Sequence, residues 1–343
     1  MRNKAMIGLA AAGLLLGGCS TVGGGNAGGS ADPGSQQSSS GDIKVAFVSQ
    51  VEGIPYFSGF DDGASQQAEK LGIKYEQAGP ATADAAEQLR IVDSLVQQGF
   101  NAIAISPLDP QSMNSAIASA RQKGISVITS DADAPDSERQ LFVQQATDEG
   151  LGSTAMDEIA NATGGKGQYA IVSGAPDTDT FTRWIEAIQA QQEEKYPDME
   201  LVGGIRYTTT TEQALEETQN LMTANPELAG VIAIPSTAIP GVGQAIRNAG
   251  KSGEIAFTGF GSPQTAAPFL KDGTMTSTVL WDVPKLGALT VWAMNELANG
   301  REIQESNTVE GFDQPIIFDK ETATLLLGDP MVFTKENVDE YNY

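Results

Sequence analysis

The chain contains no histidine and a single cysteine, Cys19, in 343 residues. Without histidine it lacks the side chain most often used as a general base and metal ligand near neutral pH. One cysteine permits neither an internal disulfide nor a cysteine-based zinc site. Basic residues are scarce as well: 20 Lys plus Arg stand against 44 Asp plus Glu, a net charge of −24. Phosphate recognition needs a basic face, so a nucleic-acid partner is excluded. There is no GxxxxGK[ST] phosphate loop, and GlyGlyGlyAsnAlaGly at 23–28 follows no strand, so it is not a dinucleotide fingerprint. These absences leave no cofactor, no metal and no familiar nucleophile–base pair. A carboxylate-only glycosidase stays open on composition.

What is present begins with an address. A short basic start (Arg2, Lys4) precedes an apolar run at 5–16 and LeuGlyGlyCys at 16–19. The run is too short to span a bilayer comfortably and has the layout of an export signal. The small residues before Cys19 resemble a bacterial lipobox, which implies cleavage before Cys19 and lipidation of its thiol. Residues 20–41 are mostly Gly, Ser, Ala and Gln, a composition that buries too little surface to fold and reads as a tether. Its r.m.s. reach is roughly 25 Å. The expectation is a signal peptide at 1–18, a lipid-anchored linker at 19–41, and a domain held at the outer face of the cell membrane.

From Ile43 onward, strand and helix patterns alternate. Strands are expected at 43–48, 102–105 and 125–130, with helices at about 60–71, 84–98 and 110–123 between and around them. A second series has helices at 148–162, 178–195, 211–224 and 238–249, with strands at 168–173, 201–205, 230–234 and 254–260. Such alternation predicts an α/β fold of parallel sheets covered on both faces. Two runs imply two Rossmann-like lobes, with a barrel as the second choice. The last part, with a strand at 275–282 and a helix at 285–299, is too small for a domain and is expected to cross between the lobes and make a hinge. The lobes are expected at 42–147 plus about 283–315, and at 148–282 plus about 316–343.

In open α/β sheets, ligands are gripped outside the carboxyl ends of the strands. The stretch IleSerValIleThrSerAspAlaAsp at 125–133 is an apolar strand that runs into Asp131 and Asp133. A carboxylate placed there accepts hydrogen bonds from hydroxyls without doing chemistry. The loop after the first strand holds Gln50, Tyr56 and Phe57, where aromatic rings suit the apolar face of a sugar or the core. The next loop presents Ser106. In the second series, Thr180, Phe181 and Arg183 sit at a helix start, with Asp177 and Asp179 as candidate caps. Pro235 and Ser236 precede another helix, and Trp281 and Asp282 lie on the expected crossover. Polar edges with aromatic faces, and no opposed catalytic groups, suit a small polyhydroxylated ligand.

These segments together resemble the type I periplasmic sugar-binding proteins of ABC importers, over about residues 43–343. The resemblance is closest to the branch of rhamnose-binding and autoinducer-2-binding proteins. It rests on IleProTyrPhe at 54–57, AsnAlaIleAlaIleSerProLeuAspPro at 101–110 and ValIleThrSerAspAlaAsp at 127–133. ThrGlyPheGlySerPro at 258–263, LeuTrpAsp at 280–282 and ValPheThrLysGluAsn at 332–337 add to it. The resemblance implies two α/β lobes, three crossovers, and a ligand enclosed by closure. It implies that Asp131 is the ligand-binding aspartate, with Tyr56 and Phe57 at the aromatic contact positions. Autoinducer-2 receptors carry a lysine where this chain has Gln50, an Asp-Gln pair where it has Thr180 and Phe181, and an alanine where it has Ser236. These departures favour a deoxyhexose or pentose, with Phe181 as a second stacking face.

The expected function is capture of a monosaccharide by a monomeric lipoprotein and delivery to the transmembrane subunits of an ABC permease. A signalling receptor read by a sensor kinase is the other use of the same lobe pair. A sugar-responsive repressor shares the fold, but an export signal stands where its basic helix-turn-helix would be.

Overall fold

A computed structural model describes residues 43–176 and 178–343. The expected signal peptide, Cys19 and the tether lie outside the described residues, as does Asp177. The chain runs β1 (Lys44–Val48), α1 (Pro55–Leu71), β2 (Lys74–Ala78), α2 (Ala85–Gln97), β3 (Ala102–Ile105), α3 (Pro110–Gln122), β4 (Ser126–Ser130) and β5 (Phe142–Gln144). It continues through α4 (Asp148–Thr163), β6 (Gly167–Ser173), α5 (Asp179–Lys195), β7 (Met199–Tyr207), α6 (Thr211–Ala224), β8 (Leu228–Ala233), α7 (Ile239–Asn248), β9 (Ala256–Gly259) and α8 (Pro263–Lys271). The last elements are β10 (Thr278–Leu280), α9 (Val283–Ala298), β11 (Ser306–Asn307), β12 (Ile316–Asp319), β13 (Thr324–Leu326) and β14 (Met331–Phe333).

The helix starts are written in the sequence. Asp84 accepts from Ala86 N and Glu87 N to begin α2. Asp109, followed by Pro110, does the same for α3. Thr147, Thr210 and Ser262 cap α4, α6 and α8. Each cap satisfies amides that the first helical turn leaves without partners.

The first lobe is an eight-stranded sheet ordered β11-β12-β13-β5-β4-β3-β1-β2. Its inner strands are parallel and buried on both faces, β3 at every residue. The period of two divides them cleanly. Val45 and Phe47 face the layer of Phe57, Phe60, Leu286 and Leu289 from α1 and α9. Ala46 and Val48 face Val92, Leu95, Met113 and Ile117 from α2 and α3. Phe47 and Phe60 stack with centroids 4.0 Å apart. Helices α1 and α9 approach closely because residue 63 is glycine: a Cβ there would lie 1.9 Å from the carbonyl oxygen of Pro284.

The second lobe holds the sheet β7-β6-β8-β9. Ile171 and Ile232 pack toward α4 and α5, whereas Val172 and Val231 pack toward α6, α7 and α8. Strand β10 follows β9 through a Phe260–Val279 bridge and pairs antiparallel with β14. The chain therefore passes between the lobes after β5, after β10 and after β13.

The segment 316–326 differs from the expectation that it joins the second lobe. β12 and β13 extend the first sheet, with β13 parallel to β5 and Leu325 opposite Val143. The reason is that β5 has only three residues and leaves an open sheet edge that needs a partner. The three-residue β5 is too short to carry a readable periodicity, the five-residue β2 (LysTyrGluGlnAla) is mostly polar and half-exposed, and α8 is only nine residues long, so the sequence pattern marks none of the three.

Candidate functional site

In-register pairing of β1, β3 and β4 sets the ends of three strands side by side, with Val48 opposite Ile105 and Ile105 opposite Thr129. The residues that follow are Ser49, Ser106 and Asp131. Asp131 leaves the strand with φ +71°, a left-handed conformation that aspartate tolerates better than most residues. That turn aims its carboxylate across the strand ends.

Both oxygens of Asp131 are engaged. Tyr56 Oη donates to Oδ1 at 2.5 Å, and Ser106 Oγ donates to Oδ2 at 2.9 Å. Trp281 Nε1 donates to Tyr56 Oη at 3.1 Å, and the two rings meet edge-on at 6.1 Å and 87°. Burial raises the carboxyl of Asp131 above its ordinary range, against the lowering effect of the two hydroxyls. Burial, followed by the adjacent Asp131 charge, holds the Tyr56 phenol well above its ordinary range, so its proton stays in place.

Gln88 shapes this corner from beneath and is a residue the sequence reading missed. Buried in α2, it donates from Nε2 to the carbonyls of Ser49 (3.0 Å) and Ser106 (2.8 Å) and accepts from Leu108 N at 3.0 Å. Its signal was a polar residue in phase with Val92 and Leu95 on an apolar face. Gln50 ties the same loops at their surface, donating to the Pro107 carbonyl at 3.3 Å.

Other expected residues fall elsewhere. Phe57 is 3% exposed and packs on Phe47 in the core, where the expectation had it beside Tyr56 at the aromatic contact positions. Successive helix residues point about 100° apart, so the Tyr56 and Phe57 side chains diverge, although their rings still meet edge-on at 5.1 Å. Asp282 caps α9, accepting from Lys285 N at 2.9 Å. It lines a cavity of about 470 Å³ on the hinge side with Lys285, Phe312, Met331 and Tyr341. Asp133 shapes the turn: it accepts from Thr129 Oγ1, Ala134 N and Arg139.

In the second lobe, Thr180 and Phe181 occupy the first turn of α5, while Pro235 and Ser236 form the turn before α7, with Ser236 exposed. Phe181 lies 5.9 Å from Trp184, whose ring is 4.8 Å from Phe260. Asp148 holds this cluster, accepting from Trp184 Nε1 at 2.7 Å and Arg183 Nε at 2.6 Å. The structure thus joins Tyr56, Ser106, Asp131 and Trp281 directly. Among the described residues, no hydrogen bond links them to Thr180, Phe181, Pro235 or Ser236. Trp184, Phe260 and Asp148 were not foreseen, because an aromatic in a helix or at a strand end reads as core and an acidic residue in the first turn of a helix reads as a match to the helix dipole.

Chemically, the arrangement can accept hydrogen bonds from hydroxyl groups. A carboxylate has about four acceptor positions, and two are occupied, leaving capacity for ligand hydroxyls beside the Tyr56 and Trp281 rings. The oxygens of Asp133, the nearest carboxylate in sequence, are committed to the turn.

The periplasmic binding protein domain model matches residues 45–302. The ribose import binding protein RbsB of Bacillus subtilis is 25% identical over 252 residues, 74% of this chain and 80% of that protein. LsrB from Clostridium saccharobutylicum, solved in complex with AI-2, is 26% identical, with TM-score 0.73, covering 88% of this chain and 100% of that one. An ABC transporter solute-binding protein from Clostridium phytofermentas with bound L-rhamnose is 25% identical, with TM-score 0.71, covering 88% and 98%. The first of these relatives is an import binding protein and the third an ABC transporter solute-binding protein. With two α/β lobes joined by three passages of the chain and a match that runs through both lobes, the chain belongs to the periplasmic binding protein family, in its type I fold.

Proposed function

We propose that this protein is the substrate-binding lipoprotein of an ABC sugar importer, capturing a deoxyhexose such as rhamnose, or a pentose, between its lobes. The observation that carries this reading is the half-buried Asp131, held by Tyr56 and Ser106 at the strand ends. Sugar hydroxyls donate to its remaining acceptor positions, and the Tyr56 and Trp281 rings cover an apolar sugar face. On closure, the second lobe supplies Thr180, Phe181, Pro235 and Ser236, and Gln50 borders the first-lobe rim. Phe181 provides an uncharged stacking surface suited to a deoxy carbon. Lipidation at Cys19 holds the protein at the outer face of the cell membrane, where the monomer hands its sugar to the permease. Relatives that bind ribose and L-rhamnose support the ligand class.

The test is thermal unfolding against a panel of pentoses, hexoses and deoxyhexoses that includes L-rhamnose and D-ribose. A true ligand stabilises by RT ln(1 + [L]/Kd), about 2.7 kcal/mol at a hundredfold excess over Kd. A flat response to the whole panel sinks the proposal. A second reading, an AI-2 receptor, draws on the likeness to LsrB. It predicts stabilisation by AI-2 and by no sugar in the panel. Pull-down of the sugar-loaded protein distinguishes a permease from a signalling partner.

A further inference from the structure

Tyr343 sits away from the strand ends, yet it touches α1 of the first lobe, α8 of the second and the passage from β10 to α9. It is 2% exposed. Its ring lies over Gly59 of α1 in the first lobe, where an added Cβ would come within 2.6 Å of the Tyr343 Cβ. Its main-chain oxygen accepts from Gln264 N at 3.0 Å, in the first turn of α8 in the second lobe. Its phenol donates to the carbonyl of Trp281 at 3.3 Å, on the passage from β10 to α9. Tyr341 supports the ring edge-on at 6.1 Å, and Tyr341 in turn rests on Phe333 of β14.

A phenylalanine would fill the same space. A buried hydroxyl carries a desolvation cost that only a hydrogen bond offsets, and here the acceptor is the main chain of Trp281. That residue lies between the last paired residue of β10, Leu280, and the α9 cap, Asp282. Its indole N–H is the group that orients Tyr56, and Tyr56 donates to Asp131. Tyr343 thus holds the main chain of Trp281, and the side chain of the same residue begins the hydrogen-bonded series Trp281–Tyr56–Asp131. We infer that Tyr343 is a positioning residue for ligand recognition, setting the pose of Trp281 and Tyr56 from outside the cleft while bridging both lobes. The inference rests on the sugar-binding reading.

The test uses the full chain labelled with 5-fluorotryptophan, in which the chain's three tryptophans give separable fluorine resonances. Tyr343→Phe keeps the ring and removes the donor. Without any sugar, it is expected to move the Trp281 resonance and leave that of Trp292 in place. Affinity for L-rhamnose and D-ribose, measured by calorimetry, is expected to fall about fivefold, the worth of one neutral hydrogen bond. Tyr341→Phe, which alters the neighbouring ring, should leave the Trp281 resonance and both affinities within about twofold of the unmodified protein. An unmoved Trp281 resonance in Tyr343→Phe overturns the inference, as does unchanged affinity. Failure of the unmodified protein to bind either sugar counts against the sugar reading, while the ligand-free spectrum still decides the placement of Trp281.

Discussion

Tyr56 and Asp131, 75 residues apart in sequence, share a 2.5 Å hydrogen bond that joins the first turn of α1 to the end of β4. Around this contact the strand-end loops, the hinge passage and the aromatic face of the cleft are assembled. Exchanging Asp131 for asparagine tests its role without disturbing its backbone, because asparagine also tolerates the left-handed conformation. Asp131→Asn should weaken binding of the stabilising sugar by about 10–100-fold, the loss of one charged hydrogen bond. Calorimetry checks this, and near-native affinity would remove Asp131 from the site.

The same carboxyl makes a pH prediction. Its folded-state value is raised above 3.8 by burial, so between 3.8 and the folded value the native protein holds more protons than the unfolded chain. The stability Asp131 contributes is complete below that window and is lost as pH rises through it. Asp131→Asn should therefore match or exceed the native protein in stability at pH 7, with the advantage vanishing in acid. Sugar affinity should fall as pH drops through the raised value, because a protonated carboxyl accepts fewer hydroxyls. Denaturant unfolding and calorimetry across pH test both arms, and a stability loss at pH 7 would contradict the first.

Gln88 underlies both loops, so Gln88→Leu should cost about 2–4 kcal/mol by leaving two carbonyls and one amide without partners. Urea unfolding measures this. A change below about 0.5 kcal/mol would mean that the three bonds carry little of the loop geometry.

Gly63→Ala places a methyl group 1.9 Å from the Pro284 carbonyl oxygen. The α1–α9 contact must open to admit it, with an expected loss of about 3 kcal/mol. Because α1 carries Tyr56 and α9 begins just after Trp281, sugar affinity should fall with stability. Preserved stability would show that the helices separate without strain.

In the second lobe, Phe181→Ala removes a ring that lies 5.9 Å from Trp184. It should weaken sugar binding about tenfold, on the scale of one aromatic contact, with a smaller effect on melting because Phe181 is only partly buried. Equal loss of both would mark Phe181 as a core residue.

The alternation of apolar strands with capped helices determined the two-lobed α/β architecture from sequence alone. A strand buried on both faces admits little but aliphatic residues, and each cap is a local contact within three residues. The strand-end carboxylate was legible for the same reason, since Asp131 directly follows a run of apolar and hydroxyl residues. Tertiary structure decided the rest. It sent Phe57 inward and Tyr56 outward, a choice set by the rotation of α1 against β1 and α9. It engaged Asp282 as a cap, gave β12 and β13 to the first sheet, and placed Gln88 and Tyr343 at contacts 18 and 62 residues away along the chain. Such contacts depend on how whole elements pack, and no local pattern of residues encodes them.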